Sequence, residues 1–114
     1  MDLRETLEKE RIGEMMIPHI EKATFPYDVV EKLKPIVLLK HFFKQPYGVG
    51  TSCIKQGALV LELARIDASL ATFFIVQAGL LGFTVETLGS EEQKKKYLPK
   101  IINLDLIGGW ALTE

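Results

Sequence analysis

The sequence predicts an all-α domain, and three observations carry that expectation. Helix-start signals recur along the chain, at Asp2, at Thr51 and Ser52, at Asp67 and at Ser90. Many of the apolar residues that follow them are spaced three and four apart, as on one side of a helix. The one stretch with the composition of a strand, Trp110-Ala111-Leu112-Thr113, comes last, after Gly108 and Gly109 break the helical pattern. Residues 1–107 are therefore expected to form a helical unit, and residues 108–114 the opening of a strand.

Asp2 and Glu5 make a capping box that opens a helix expected to run to about residue 17, where Pro18 disturbs it. Ile12, Met15, Met16 and Ile20 give this helix an apolar side, and its Met pair is read as core packing. Phe25-Pro26-Tyr27 makes a turn. Asp28 then caps a short helix with apolar positions Val29, Val30 and Leu33. Residues 40–50 are the least regular stretch. Phe42 and Phe43 lie there between Lys40 and Lys44, and they are expected to fold onto the core rather than to form a nucleotide-stacking surface.

Thr51 and Ser52 cap a helix to about residue 66, apolar at Ile54, Ala58, Leu59, Leu61 and Ala64 and polar at Lys55, Glu62 and Arg65. Glu62 and Arg65 are three apart and can pair. Asp67 caps the next helix, residues 68–88, whose first eighteen residues carry no charge. That length suits a membrane span. Ser69, Thr72, Gln77 and Thr84 inside it, and flanks without an aromatic or basic belt, favour a core helix enclosed by others. Gly89 suits a left-handed turn closing this helix. Ser90 and Gln93 make a second capping box, with acids before lysines as the helix dipole prefers, and Pro99 limits how far the helix runs.

A net charge of −1 gives no electrostatic case for nucleic acid or an anionic membrane. A single cysteine, Cys53, excludes an internal disulfide and fits a reducing compartment. His19, His41 and Cys53 have no metal-ligand spacing, so no metal is expected. The first residues lack the apolar core of a signal peptide, and no transit peptide is visible. No Gly-rich phosphate loop or Ser-His-Asp set appears.

The run EEQKKKYLPKI, a short spacer and then GGWALTE resemble the corresponding run of the acyl-CoA dehydrogenase and acyl-CoA oxidase family. The likeness continues back through Leu61-Glu62-Leu63-Ala64-Arg65-Ile66-Asp67-Ala68-Ser69, and more loosely to Glu21-Lys22-Ala23-Thr24-Phe25-Pro26 and Pro46-Tyr47-Gly48. The wording is similar to short-chain acyl-CoA oxidases of the plant peroxisomal type and to glutaryl-CoA dehydrogenases. Two departures stand out. Pro35 occupies the family's glycine turn, and Val49 replaces the second of a glycine pair after Tyr47.

The resemblance implies the N-terminal helical domain of that fold, ending where the first strand of a β-domain begins. It implies FAD, an acyl-CoA substrate oxidised to a trans-2-enoyl-CoA, and a homo-oligomer. Electrons would pass to an electron-transfer flavoprotein in a dehydrogenase, or to oxygen in an oxidase. The mitochondrial matrix, the peroxisome and the bacterial cytoplasm are the compartments it allows. The family's base, a glutamate, belongs to a later domain, so no catalytic residue is expected here. Glu62 has its ion pair, and Glu114 falls in the family's turn after the strand. Trp110, Leu112 and Thr113 match residues along the flavin; in a strand the first two face together and Thr113 faces opposite. Thr72, Val76 and Leu80 recur every four residues, share one helix face, and match the far end of the acyl pocket. Ala71 matches an arginine that meets the distal carboxylate in glutaryl-CoA dehydrogenases, which implies a monocarboxylic substrate. Plain core packing is the alternative for each set, and a cofactor-free helical interaction module is the rival function.

Overall fold

The computed structural model describes residues 2–113. The described residues form six α-helices and no strand: α1 (Leu3–Lys9), α2 (Ile12–Lys22), α3 (Tyr27–Leu33), α4 (Cys53–Ile66), α5 (Ala68–Leu88) and α6 (Glu91–Ile102). Two short 3₁₀ segments, Lys34–Ile36 and Leu38–Phe42, join α3 to the loop before α4. The all-α expectation holds.

The first expected helix is in fact two. Arg11 takes a left-handed conformation, φ 56° and ψ 38°, and splits it. Helical arithmetic supplies the reason. In one straight helix Ile12 and Met16 would lie about 140–180° around from Leu7, at about 100° per residue. The break brings all of them, with Leu3, into the same core. Pro18 does not end α2, and Pro99 does not end α6, which runs on to Ile102. Both prolines are exposed, so the carbonyl each deprives of a partner lies on the solvent side.

Most local signals at helix starts work as read. Asp2 accepts from the Glu5 amide, although the return bond of the expected box, from the Asp2 amide to the Glu5 side chain, is not formed. Ser52 accepts from the Lys55 amide at 3.3 Å and Asp67 from the Leu70 amide at 3.0 Å. The Ser90–Gln93 box closes in both directions, at 2.9 and 3.2 Å. Asp28 is different. It lies inside the first turn of α3, with Pro26 at the cap position. Gly89 is extended, φ −72°, not left-handed. Glycine is required there because a Cβ would run into the Val85 carbonyl. At the Pro35 departure, Val37 supplies the left-handed turn, φ 49° and ψ 46°, an uncommon state for a β-branched residue.

The molecule measures 40 × 37 × 22 Å, so its thin direction holds about two helix diameters. A helix in such a slab keeps one face outward, and this corrects the expectation that α5 is enclosed. Leu70, Ala71, Phe74, Gln77, Ala78 and Gly82 are buried, against α4, α6 and the second 3₁₀ segment. Ile75, Phe83 and Leu88 are exposed. On α4 only Leu63 is fully buried, while Ile54 and Leu61 stand in solvent at 87% and 55% exposure, so much of that helix's apolar side is uncovered too.

Phe43 enters the core beneath α5, 1% exposed, as expected of the aromatic loop. Its ring lies where a Cβ on Gly82 would be, whereas a Cβ on Gly57 in α4 meets nothing within 4 Å. The two glycines should therefore respond oppositely to alanine. Gly82→Ala is expected to destabilise by about 1–3 kcal/mol through overpacking. Gly57→Ala is expected to stabilise by about 0.5–1 kcal/mol through helix propensity. Urea unfolding midpoints check both signs.

Candidate functional site

Within α5, residues Val76–Gly82 form a π-helical segment. Such a segment widens one turn and re-aims the side chains beyond it. No sequence signal announced it. Around it the helix separates two surfaces. Thr72, Val76 and Leu80 lie on the outer side: Thr72 exposed, Val76 half-buried and Leu80 36% exposed. The Thr72 hydroxyl donates back to the Ala68 carbonyl at 3.0 Å, so its polar group is already satisfied. These residues form an outward face with Ile75, Gly79 and Phe83 as neighbours, and no Lys or Arg lies anywhere on α5. Ala71, by contrast, is 5% exposed and belongs to the core side, away from that face.

Gln77 lies on the inner side, 1% exposed, the one buried polar side chain among the described residues. Its amide nitrogen donates to the Leu106 carbonyl at 2.6 Å and to the Ile101 carbonyl at 3.3 Å. Its oxygen accepts from the Gly108 amide at 3.2 Å. In the sequence Gln77 is only one polar residue in an apolar run. Its partners are backbone groups 24 to 31 positions away, which no local pattern shows.

Beyond Gly108 the chain extends without forming a strand. Trp110 is 46% and Leu112 77% exposed, and Thr113 is exposed. No group of residues 109–113 makes a hydrogen bond to another described residue. The backbone amides and carbonyls of this stretch thus have no hydrogen-bond partner among the described residues. Glu114 lies outside the described residues. The other carboxylate weighed above, Glu62, pairs with Arg65 at 3.4 Å.

A concave feature escaped sequence reading: a cleft of about 380 Å³ between α2, its exit loop and the start of α5. Met16, Ile20, Phe25, Leu70 and Phe73 line it. At its edge His19 bridges Thr24 Oγ1, 2.8 Å from Nδ1, and Asp28 Oδ1, 2.7 Å from Nε2. Desolvation pushes Asp28 up, but hydrogen bonds from His19 and the Val29 amide outweigh it and hold the carboxyl below its ordinary value. The bridge pins the end of α2 to the start of α3. Among the described residues no cluster of His, Cys, Asp and Glu could hold a metal.

The sequence profile "Acyl-CoA dehydrogenase, N-terminal domain" matches residues 2–105. The chain belongs to that family. It is 29% identical over 91 residues to an acyl-CoA dehydrogenase of Bacillus subtilis, covering 79% of this chain and 24% of the relative. It is 28% identical over 106 residues to the mitochondrial isobutyryl-CoA dehydrogenase of Dictyostelium discoideum, covering 89% and 25%. It is 32% identical over 96 residues to the glutaryl-CoA dehydrogenase of Desulfococcus multivorans, covering 79% and 24%. The chain spans about a quarter of the length of these relatives.

His41 gives the fold a pH dependence. Burial, with Lys55 and Lys40 nearby, lowers its pKa, and its Nδ1 is buried without a partner. The fold thus favours the neutral ring. The unfolded chain takes up the proton first as pH falls through about 6.5, and stability is lost from there down to the folded-state value. Urea midpoints measured from pH 7.5 to pH 5 should fall less steeply in His41→Gln than in the parent.

Proposed function

We propose that this chain is the N-terminal helical unit of an FAD-dependent acyl-CoA dehydrogenase that oxidises the Cα–Cβ bond of an acyl-CoA to a trans-2-enoyl-CoA. In this reading the outward face of α5, with Thr72, Val76 and Leu80, closes the far end of the acyl pocket. Residues 110–113 lie along the flavin, Trp110 and Leu112 by contact and Thr113 with the free backbone groups by hydrogen bonding. The domain boundary then falls at Gly108. The flavin, when bound, accepts the hydride. The observation that carries the reading is the family match together with an uncharged, solvent-facing apolar face at the positions it requires.

The relatives compared are all dehydrogenases, which favours an electron-transfer flavoprotein over oxygen as acceptor. A homo-oligomer and a bacterial or mitochondrial setting accompany that reading. The substrate class follows from charge. A distal carboxylate would meet no cation on α5, and a buried unpaired carboxylate costs several kcal/mol, so the substrate is a monocarboxylic acyl-CoA.

The test uses a holoenzyme that carries this domain. Leu80→Trp fills the far end of the pocket and should shift preference toward shorter acyl chains, since one methylene is worth about 1–3 kcal/mol in such a site. An equal fall in kcat/KM at every chain length would reject the pocket assignment. Turnover of glutaryl-CoA faster than butyryl-CoA would reject the substrate class. Hydrogen peroxide released in step with turnover would move the assignment to an oxidase.

A further inference from the structure

The two surfaces of α5 meet at two adjacent residues. Val76, on the acyl-facing side, and Gln77, which holds the chain at Gly108, are consecutive. Their Cα atoms are therefore about 3.8 Å apart by covalent geometry. The Gln77 amide is nearly saturated: both donors are used on carbonyls, and the oxygen takes the Gly108 N–H. Gly108 is also the last residue with such an anchor before the free stretch 109–113. It lies tight against the helix, because a Cβ there would meet the Leu81 side chain, one helical turn beyond Gln77. Between Ile102 and Gly108 turn hydrogen bonds tie Leu104, Asp105 and Leu106 to the end of α6, and the last contacts, those that hold Gly108 itself, come from Gln77 and Leu81. The direction in which residues 109–113 leave the domain is therefore set by Gln77 and the Leu81 contact.

We propose that Gln77 is a positioning residue that sets the segment carrying Trp110, Leu112 and Thr113 in register with the face formed by Thr72, Val76 and Leu80. It touches neither substrate nor flavin. It acts through Gly108, so that an acyl chain against Val76 and a flavin against Trp110 keep a fixed separation. The roles of the two surfaces rest on the function proposed above. The latch itself rests only on the hydrogen bonds.

The first measurement is amide hydrogen exchange on the 114-residue chain. In the parent, Gly108 should exchange at least about tenfold more slowly than Gly109 and Trp110, the effect of one hydrogen bond worth about 1.4 kcal/mol. In Gln77→Leu that protection should vanish while protected amides in α1 and α3 keep theirs, and Trp110 fluorescence anisotropy should fall. Equal exchange at Gly108 and Gly109 in the parent overturns the latch without any variant. Loss spread evenly over every helix in Gln77→Leu overturns it as well, since that marks a purely structural role. The second measurement, on the holoenzyme, separates positioning from stability. Gln77→Leu should lower kcat and weaken FAD while leaving KM for the acyl-CoA little changed. A lost Gly108 latch with unaltered kcat and FAD affinity overturns the positioning role. Because the exchange readout needs no flavin, failure of the latch and failure of the functional reading give different results.

Discussion

Phe43 seated against Gly82 is the contact on which the rest of the structure depends. The ring occupies the space a Cβ would take, so loop and helix meet at the shortest distance side-chain chemistry allows. Everything around the contact conforms to it. The loop after Phe43 is tied back on itself, with the Gly48 amide donating to Lys44, Val49 to Lys40 and Gly50 to Phe43, each at 2.9 Å. The Lys44 amide donates to Glu86 at 2.8 Å, fastening the loop to the last turns of α5. Gly82 also ends the π-helical segment, so the wide turn and the inserted ring adjoin. At the other end of that segment Gln77 gathers the chain leaving α6. One helix thus orders the irregular chain on either side of it in sequence.

The features legible in the sequence are those whose partners lie within one helical turn. Ser90 and Gln93 are three positions apart, and so are Ser52 and Lys55; such pairs depend on nothing distant, and they form as read. The break at Arg11 was not legible, because arginine has no special preference for a left-handed backbone. The core imposes it, by needing Leu7 and Ile12 on one side. Gly89 illustrates an intermediate case. A glycine was rightly required, but crowding against the Val85 carbonyl, not a left-handed φ, requires it.

For the site the same division holds. Four-residue spacing put Thr72, Val76 and Leu80 on one face, and the structure keeps them on one side of α5. Periodicity cannot say whether that face looks inward or outward, since only the packing of α4 and α6 decides it. It could not exclude Ala71 from that neighbourhood either, although Ala71 proves to be core. Gln77 was wholly hidden. Its three partners are main-chain groups, one in the last turn of α6 and two in the irregular chain beyond it, and main-chain groups leave no trace in residue identity.

The outward faces of α4 and α5 pose a physical question that the proposed function answers. Ile54, Leu61, Ile75, Phe83 and Leu88 stand in water. Single exposed apolar residues are ordinary, but a helix uncharged over eighteen positions is a costly way to build a wet surface. At about 25 cal/mol per Å² of apolar area, covering such faces is worth several kcal/mol. Under the proposed function the acyl chain takes part of that gain and the remaining domains of the enzyme take the rest. The lack of charge on α5 and its one-sided burial then have a single cause. Under that reading the inner face is packed to hold a shape, and the outer face is the one the acyl chain and the other domains would cover.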